Sequence, residues 1–244
     1  MTNRTELSQA DRALLSAIWV VSPRELSASQ RRELPALEAR LRQSVQRGDL
    51  AAMTSLAYLL LRFTRGKASE IERLIRRAAE GGEPAAQLRW AALLQQKGRH
   101  RAALPWLKRS AAQGLDESLF RLGYLLVRPP SGVKQDMSGG ISLLKSAHRK
   151  GHPLAAEWLA IAYDGMRLPN RRAAYRWYRV AAMRENPSAM HNLAVCYENG
   201  EGTSRNLELA RKFYGLAART KVRGSQESLE RVRRKLRAQQ KARL

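Results

Sequence analysis

The sequence predicts an all-α solenoid. One observation is a pair of amphipathic helices joined by a glycine turn, Pro187 to Ala218. Its first helix carries Ala189, Leu193, Ala194 and Tyr197, and its second carries Ala210, Phe213, Tyr214, Ala217 and Ala218. A second observation is recurrence. Equivalent second-helix anchors stand at Leu74, Trp106, Leu143, Trp177 and Phe213, at spacings of 32, 37, 34 and 36 residues. A helix pair cannot bury its apolar faces alone, so a regular series of them implies stacking. The third observation is negative: no sustained Val/Ile/Thr alternation suggests a strand.

In chain order, Ala10–Val20 and Glu33–Gln46 are expected as helices of an N-terminal cap over residues 1–46, or of a divergent repeat, with a connector through Pro23. Five pairs follow over residues 47–221. Their first helices are predicted at Asp49–Phe63, Pro84–Lys97, Asp116–Val127, Pro153–Tyr163 and Pro187–Glu198. The prolines fit the first helical position, where a missing N–H costs nothing. Second helices are predicted at Ser69–Glu80, Arg99–Gln113, Met137–Lys150, Arg171–Arg184 and Asn206–Thr220. Eight residues after each anchor, Gly82, Gly114 and Gly151 close the first three pairs, while Glu185 and Lys221 take that place later. Residues 222–244 are read as a basic capping helix, Gln226–Ala242, with Leu229, Val232 and Leu236 on one side.

The order Ala-x3-Leu-(Gly/Ala)-x2-Tyr, a Gly-x-Gly turn at Gly200 and Gly202, then Ala210, Phe213, Tyr214, Ala217 and Ala218 resembles the Sel-one-like repeat, a relative of the tetratricopeptide repeat. The fourth copy matches through Ala155, Leu159, Ala160, Tyr163, Gly165, Ala174, Trp177, Tyr178, Ala181 and Ala182. Copies one and two depart most, with Leu60 and Leu94 where tyrosine is usual. The resemblance implies a right-handed α-α superhelix of about five to six Sel-one-like pairs with capping helices. It also implies a non-enzymatic scaffold or adaptor that binds other proteins.

Composition narrows the chemistry. Lys and Arg number 45 against 21 Asp and Glu, a formal charge of +24, so anionic partners are favoured. Arginine outnumbers lysine 35 to 10, an excess that the source's nucleotide composition can produce as readily as selection can. The lone Cys196 excludes an intrachain disulfide and reads as a packing residue. Leu14–Val21 is too short to span a membrane, so no membrane insertion and a cytoplasmic location are expected. His148 and His152 are separated by a Gly151–Pro153 break, and neither Gly139–Gly140 nor Gly200-x-Gly202 follows a strand. No catalytic residue, metal or cofactor is therefore expected.

By analogy with tetratricopeptide relatives, first helices line a concave groove. That places Thr54, Tyr58, Gln95, Phe120, Tyr124, Glu157, Asp164, His191 and Glu198 on a partner-binding edge. Phe120 and Tyr124 are not demanded by the repeat and form the preferred hot spot; packing against a neighbouring helix is the equal alternative. Positive charge falls instead on the second helices and the C-terminal segment. The basic face comprises Arg76, Arg77, Lys108, Arg109, Arg172, Arg176, Arg211, Lys212, Arg233 and Arg234. Three functions follow: an adaptor for another protein with an acidic surface, a nonspecific nucleic-acid binder using the basic back, or an immunity-type antagonist of an acidic protein. A monomer is expected.

Overall fold

A computed structural model describes residues 7–20, 22–64 and 66–241. Val21 and Ala242, which end two predicted segments, lie outside the described residues. Among the described residues there are thirteen helices and no strand. They are α1 (Gln9–Val20), α2 (Ala28–Gln46), α3 (Leu50–Phe63), α4 (Ala68–Glu80), α5 (Pro84–Gln96), α6 (His100–Ala112) and α7 (Asp116–Val127), followed by α8 (Met137–Arg149), α9 (Ala155–Asp164), α10 (Arg171–Met183), α11 (Pro187–Asn199), α12 (Leu207–Arg219) and α13 (Ser225–Lys241). The five predicted pairs are α3–α4 through α11–α12. The chain divides into two compact units, up to Ser118 and from Leu119 onward.

In the first unit, helix starts are set by side chains that accept from free backbone N–H groups. Ser27 Oγ accepts from Gln30 N (3.1 Å) while Gln30 Oε1 accepts from Ser27 N (2.8 Å), a reciprocal capping box. This box starts α2 at Ala28, ahead of the expected Glu33, and Pro35 lies inside the helix. Asp49 caps α3 through Ala52 N (3.0 Å), and Glu83 caps α5 through Ala85 N (3.1 Å) and Ala86 N, with Pro84 in the first turn. The core is aliphatic: Ile18, Leu37, Leu41, Met53 and Leu60 are fully buried, with Trp90 and Trp106 packed against it. Both α1 and α2 therefore share the core of the pairs that follow them.

In the second unit, Asp136, Asn170, Asn186 and Asn206 cap α8, α10, α11 and α12. Its layers are built on small residues. Ala160, Ala174, Ala181, Ala189 and Leu193 join α9, α10 and α11 with Tyr178. Ala194, Ala210, Tyr214, Leu229 and Val232 join α11, α12 and α13. Alanine at these contacts lets backbones approach while costing little rotamer entropy. Cys196 is buried in the first of these layers.

A second boundary, besides the start of α2, departs from expectation. Pro153 lies in a turn and α9 begins at Ala155. No side chain caps this helix; instead Ala155 N donates to His152 O (3.3 Å), and the Pro153–Leu154 turn precedes the first helical residue. The residues that close the pairs all adopt left-handed backbone. Gly82, Gly114 and Gly151 have φ of 98°, 81° and 89°, and Glu185 and Lys221 hold the same place at 61° and 59°.

Candidate partner-binding surface

The first-helix candidates of the first unit are largely engaged within it. Thr54 is buried, and its hydroxyl donates to Glu83 Oε2 (2.9 Å) and Leu50 O (3.2 Å). It ties the cap of α5 to α3 and is not a surface contact, contrary to expectation. The reason is position: Thr54 stands one turn into α3, on the side that meets the start of the next first helix. Tyr58 is half-buried, accepts from Arg62 Nη1 (2.8 Å) and lies under the Arg89 guanidinium at 5.1 Å. Gln95 is half-buried near the end of α5.

The second unit brings four rings together. Phe120 stacks on His152 with centroids 4.0 Å apart, and Tyr124 meets Trp158 edge-on at 4.4 Å. Phe120 and Tyr124 lie one turn apart on α7, their centroids separated by 6.5 Å. His152 is buried beneath this cluster, whereas Tyr124 remains 40% exposed. Phe120 packs inward, as one of the two expectations has it, and Tyr124 keeps an open face. The i, i+4 pair was visible in the sequence, but its partners His152 and Trp158 were not. They come from the following repeat, and no local pattern marks them.

Other predicted edge residues in this unit are paired. Glu157 accepts from Asn186 Nδ2 (2.8 Å), and Asp164 pairs with Arg171, which also reaches Glu201 at 3.3 Å. His191 shares a hydrogen bond with Ser225 Oγ (2.8 Å) and packs edge-on against Tyr214 at 5.2 Å. Burial, then the nearby Arg231 charge, pushes its pKa down. Glu198 is buried. It accepts from Arg231 Nε (3.0 Å) and Nη2 (2.9 Å), Lys235 Nζ (2.7 Å) and Tyr214 Oη (2.9 Å). The hydrogen bonds from Arg231, with those from Lys235 and Tyr214, outweigh burial and bring its pKa down to about 2. The expected free edge at His191 and Glu198 is therefore covered by α13.

The ten residues of the predicted basic face are all exposed. Arg76, Arg77, Lys108 and Arg109 lie in the first unit, and Arg172, Arg176, Arg211, Lys212, Arg233 and Arg234 in the second. Several are partly neutralised: Arg76 pairs with Glu80 (2.8 Å), Arg211 with Glu208 (2.9 Å) and Arg233 with Glu230 (2.6 Å), while Arg109 lies over the Trp106 ring at 5.0 Å. Among the described residues, no group of three or more His, Cys, Asp or Glu side chains could hold a metal ion. No helix among them is long and apolar enough to cross a membrane. Burial pushes the Cys196 thiol up to about 12, which keeps it protonated and a poor nucleophile. These surfaces can supply aromatic and cationic contacts.

Comparison with known proteins follows the repeats. The Sel1 repeat family model matches residues 84–115, 116–152, 153–186 and 187–219, more than half of the chain. An uncharacterised protein of Neisseria meningitidis serogroup B is 34% identical over 108 residues, covering 42% of this chain and 21% of that protein. The chain thus spans about a fifth of the length of that curated relative. The crystal structure of a protective antigen of uropathogenic Escherichia coli strains, which displays an SLR fold, superposes with a TM-score of 0.74 at 23% identity, over 91% of this chain and 48% of that one. An immunity protein of Pseudomonas aeruginosa superposes with a TM-score of 0.55 at 21% identity, over 88% of this chain and 82% of that one. At these identities the likeness is one of fold.

Proposed function

This chain belongs to the Sel1-repeat family, and we propose that it is a non-enzymatic scaffold that holds another protein through the aromatic cluster on α7. The open face of Tyr124 carries this reading. It is a large ring, supported edge-on by Trp158 and flanked by the Phe120–His152 stack, so a partner would meet a surface that is already ordered. Tyrosine held in this way supplies contact area at low entropic cost, the character of an interface anchor. Thr54, Glu157, Asp164, His191 and Glu198 are engaged as internal ties, which favours recognition at this cluster.

The test is affinity capture of the full chain from its native host, with and without nuclease, beside Tyr124→Ala. The expected result is a stoichiometric, nuclease-resistant protein partner that Tyr124→Ala loses, with unchanged helicity in both proteins. Capture that nuclease abolishes would return the function to nucleic acid on the basic face, and its affinity would then fall steeply with salt. A second reading, an immunity-type antagonist of an acidic protein, is favoured by the fold shared with the Pseudomonas aeruginosa immunity protein. Under that reading the captured partner is a toxin with an acidic surface, and co-expression with this chain restores growth.

A further inference from the structure

The repeat register continues past the last helix pair. Lys221 has the left-handed backbone of Glu185, and Val222 N donates to Ala217 O (3.1 Å) as Asn186 N does to Ala181 O (3.1 Å). Shifted by one repeat, the buried Ala189, Leu193 and Cys196 of α11 become Ser225, Leu229 and Val232 of α13, again buried. Helix α13 thus stands as the first helix of a sixth pair. Two other counterparts have changed. In α11, Ala194 packs against Ala210 and Tyr214, and Tyr197 stacks on Phe213 (5.9 Å); these residues face the pair's own second helix. In α13 the same places hold Glu230 and Arg233, both exposed and paired with each other.

Between α12 and α13 lies a groove of about 720 Å³, floored by Leu209, Leu216 and Leu229 and lined also by Arg233. Its α12 wall contains Gly215, where an added Cβ would meet nothing within 4 Å. A glycine inside a helix costs stability relative to alanine, and among the described residues no neighbouring atom crowds this position. On the rim, Lys212 and Arg219 have no carboxylate partner among the described residues, and the lining carboxylate Glu208 is held by Arg211.

We propose that this groove docks an acidic amphipathic helix of a partner protein, packed between α12 and α13. The aliphatic floor rewards burial of apolar side chains, Gly215 permits close approach of a backbone, and Lys212 and Arg219 complement carboxylates. A second copy of this chain, at +24, is repelled from the rim. Nucleic acid finds no aromatic ring among the lining residues on which to stack a base. The proposal does not depend on the α7 cluster.

Fluorescence anisotropy with the full chain tests it. The probe is a labelled synthetic peptide with leucines at i, i+3, i+4 and i+7 and glutamates elsewhere, beside a scrambled peptide of the same composition. The ordered peptide is expected to bind about tenfold or more tightly than the scrambled one, and to weaken about tenfold in Lys212→Glu/Arg219→Glu. Gly215→Leu, which fills the groove, is expected to weaken binding similarly with circular dichroism unchanged, whereas Tyr124→Ala binds as the wild type does. Equal binding of the two peptides, no binding of the ordered one, or an unaffected Gly215→Leu would overturn the proposal. A labelled uridine oligonucleotide that loses binding in Gly215→Leu while the peptide does not would assign the groove to nucleic acid instead.

Discussion

Glu198 is the residue on which the end of the second unit turns. Its carboxylate is buried, yet three donors from two helices keep it ionised, and so it fastens α13 to α11 and α12. A carboxyl group with a depressed folded pKa contributes stability that is present above its ordinary value of 4.5 and is lost as pH falls toward about 2. Because Arg231 and Lys235 are each nearly half exposed, screening reduces the contribution at neutral pH to about 2 kcal/mol. Glu198→Gln is therefore expected to unfold at lower urea than the wild type at pH 7, and the gap should close as pH falls from 4.5 toward 2. Urea titrations at several pH values check this; a gap that stays constant over that range would show that the charge does not hold α13. Gly215 runs the other way. Alanine there meets open space and removes a helix-interior glycine, so Gly215→Ala should stabilise the chain by about 0.5–1 kcal/mol, read as a higher melting temperature.

The repeated element explains why its turns carry glycine at two places for different reasons. Gly200 caps α11 in left-handed backbone (φ 78°), but an added Cβ would meet only ordinary contacts at 3.5 Å. Gly202 has φ 73° and in addition lies against the start of α10, where a Cβ would come within 2.1 Å of Arg171 O. Backbone cannot yield as a side-chain tip can. Gly200→Ala should therefore cost about 1 kcal/mol and Gly202→Ala about 3 kcal/mol or more, measured by thermal unfolding of the two variants in parallel. A Gly202→Ala protein as stable as Gly200→Ala would mean that this turn is not held against α10. These turns and the helix pairs were legible because their signals are local: Pro187 and the glycines each act within a few residues. The Ser27–Gln30 box was equally local and marks the true start of α2. What the sequence did not disclose were the ties between repeats. Thr54 to Glu83, Glu157 to Asn186, Phe120 to His152 and Glu198 to Arg231 each join residues about one repeat apart, where no pattern distinguishes a free polar edge from a bonded one.

For the whole chain the governing quantity is charge. With 45 Lys and Arg against 21 Asp and Glu, each carboxylate has on average two cations competing for it, and cations such as Lys212 and Arg219 are left without one. Two effects of added salt then oppose each other. Screening weakens the ion pairs, but several that stand on the surface, such as Arg76–Glu80, Arg211–Glu208 and Arg233–Glu230, are neighbours within one helix and contribute only a few tenths of a kcal/mol each. The pairs that reach a buried carboxylate, Arg40–Asp11 and Arg231–Glu198, are screened less because their acidic partners are only 4% exposed. Screening also relieves the mutual repulsion of a net +24, which is long-ranged at low ionic strength and acts on the compact state more than on the expanded one. The second effect should win. Raising sodium chloride from about 20 mM to about 300 mM shortens the Debye length from roughly 20 Å to roughly 6 Å and should raise the melting temperature by about 4 °C. Differential scanning fluorimetry over that range checks it, with Lys212→Glu/Arg219→Glu as a comparison that starts higher at low salt and gains less. A melting temperature that falls with salt would show that the ion pairs outweigh the repulsion, and that the excess positive charge is balanced within the fold, leaving little of it for a partner.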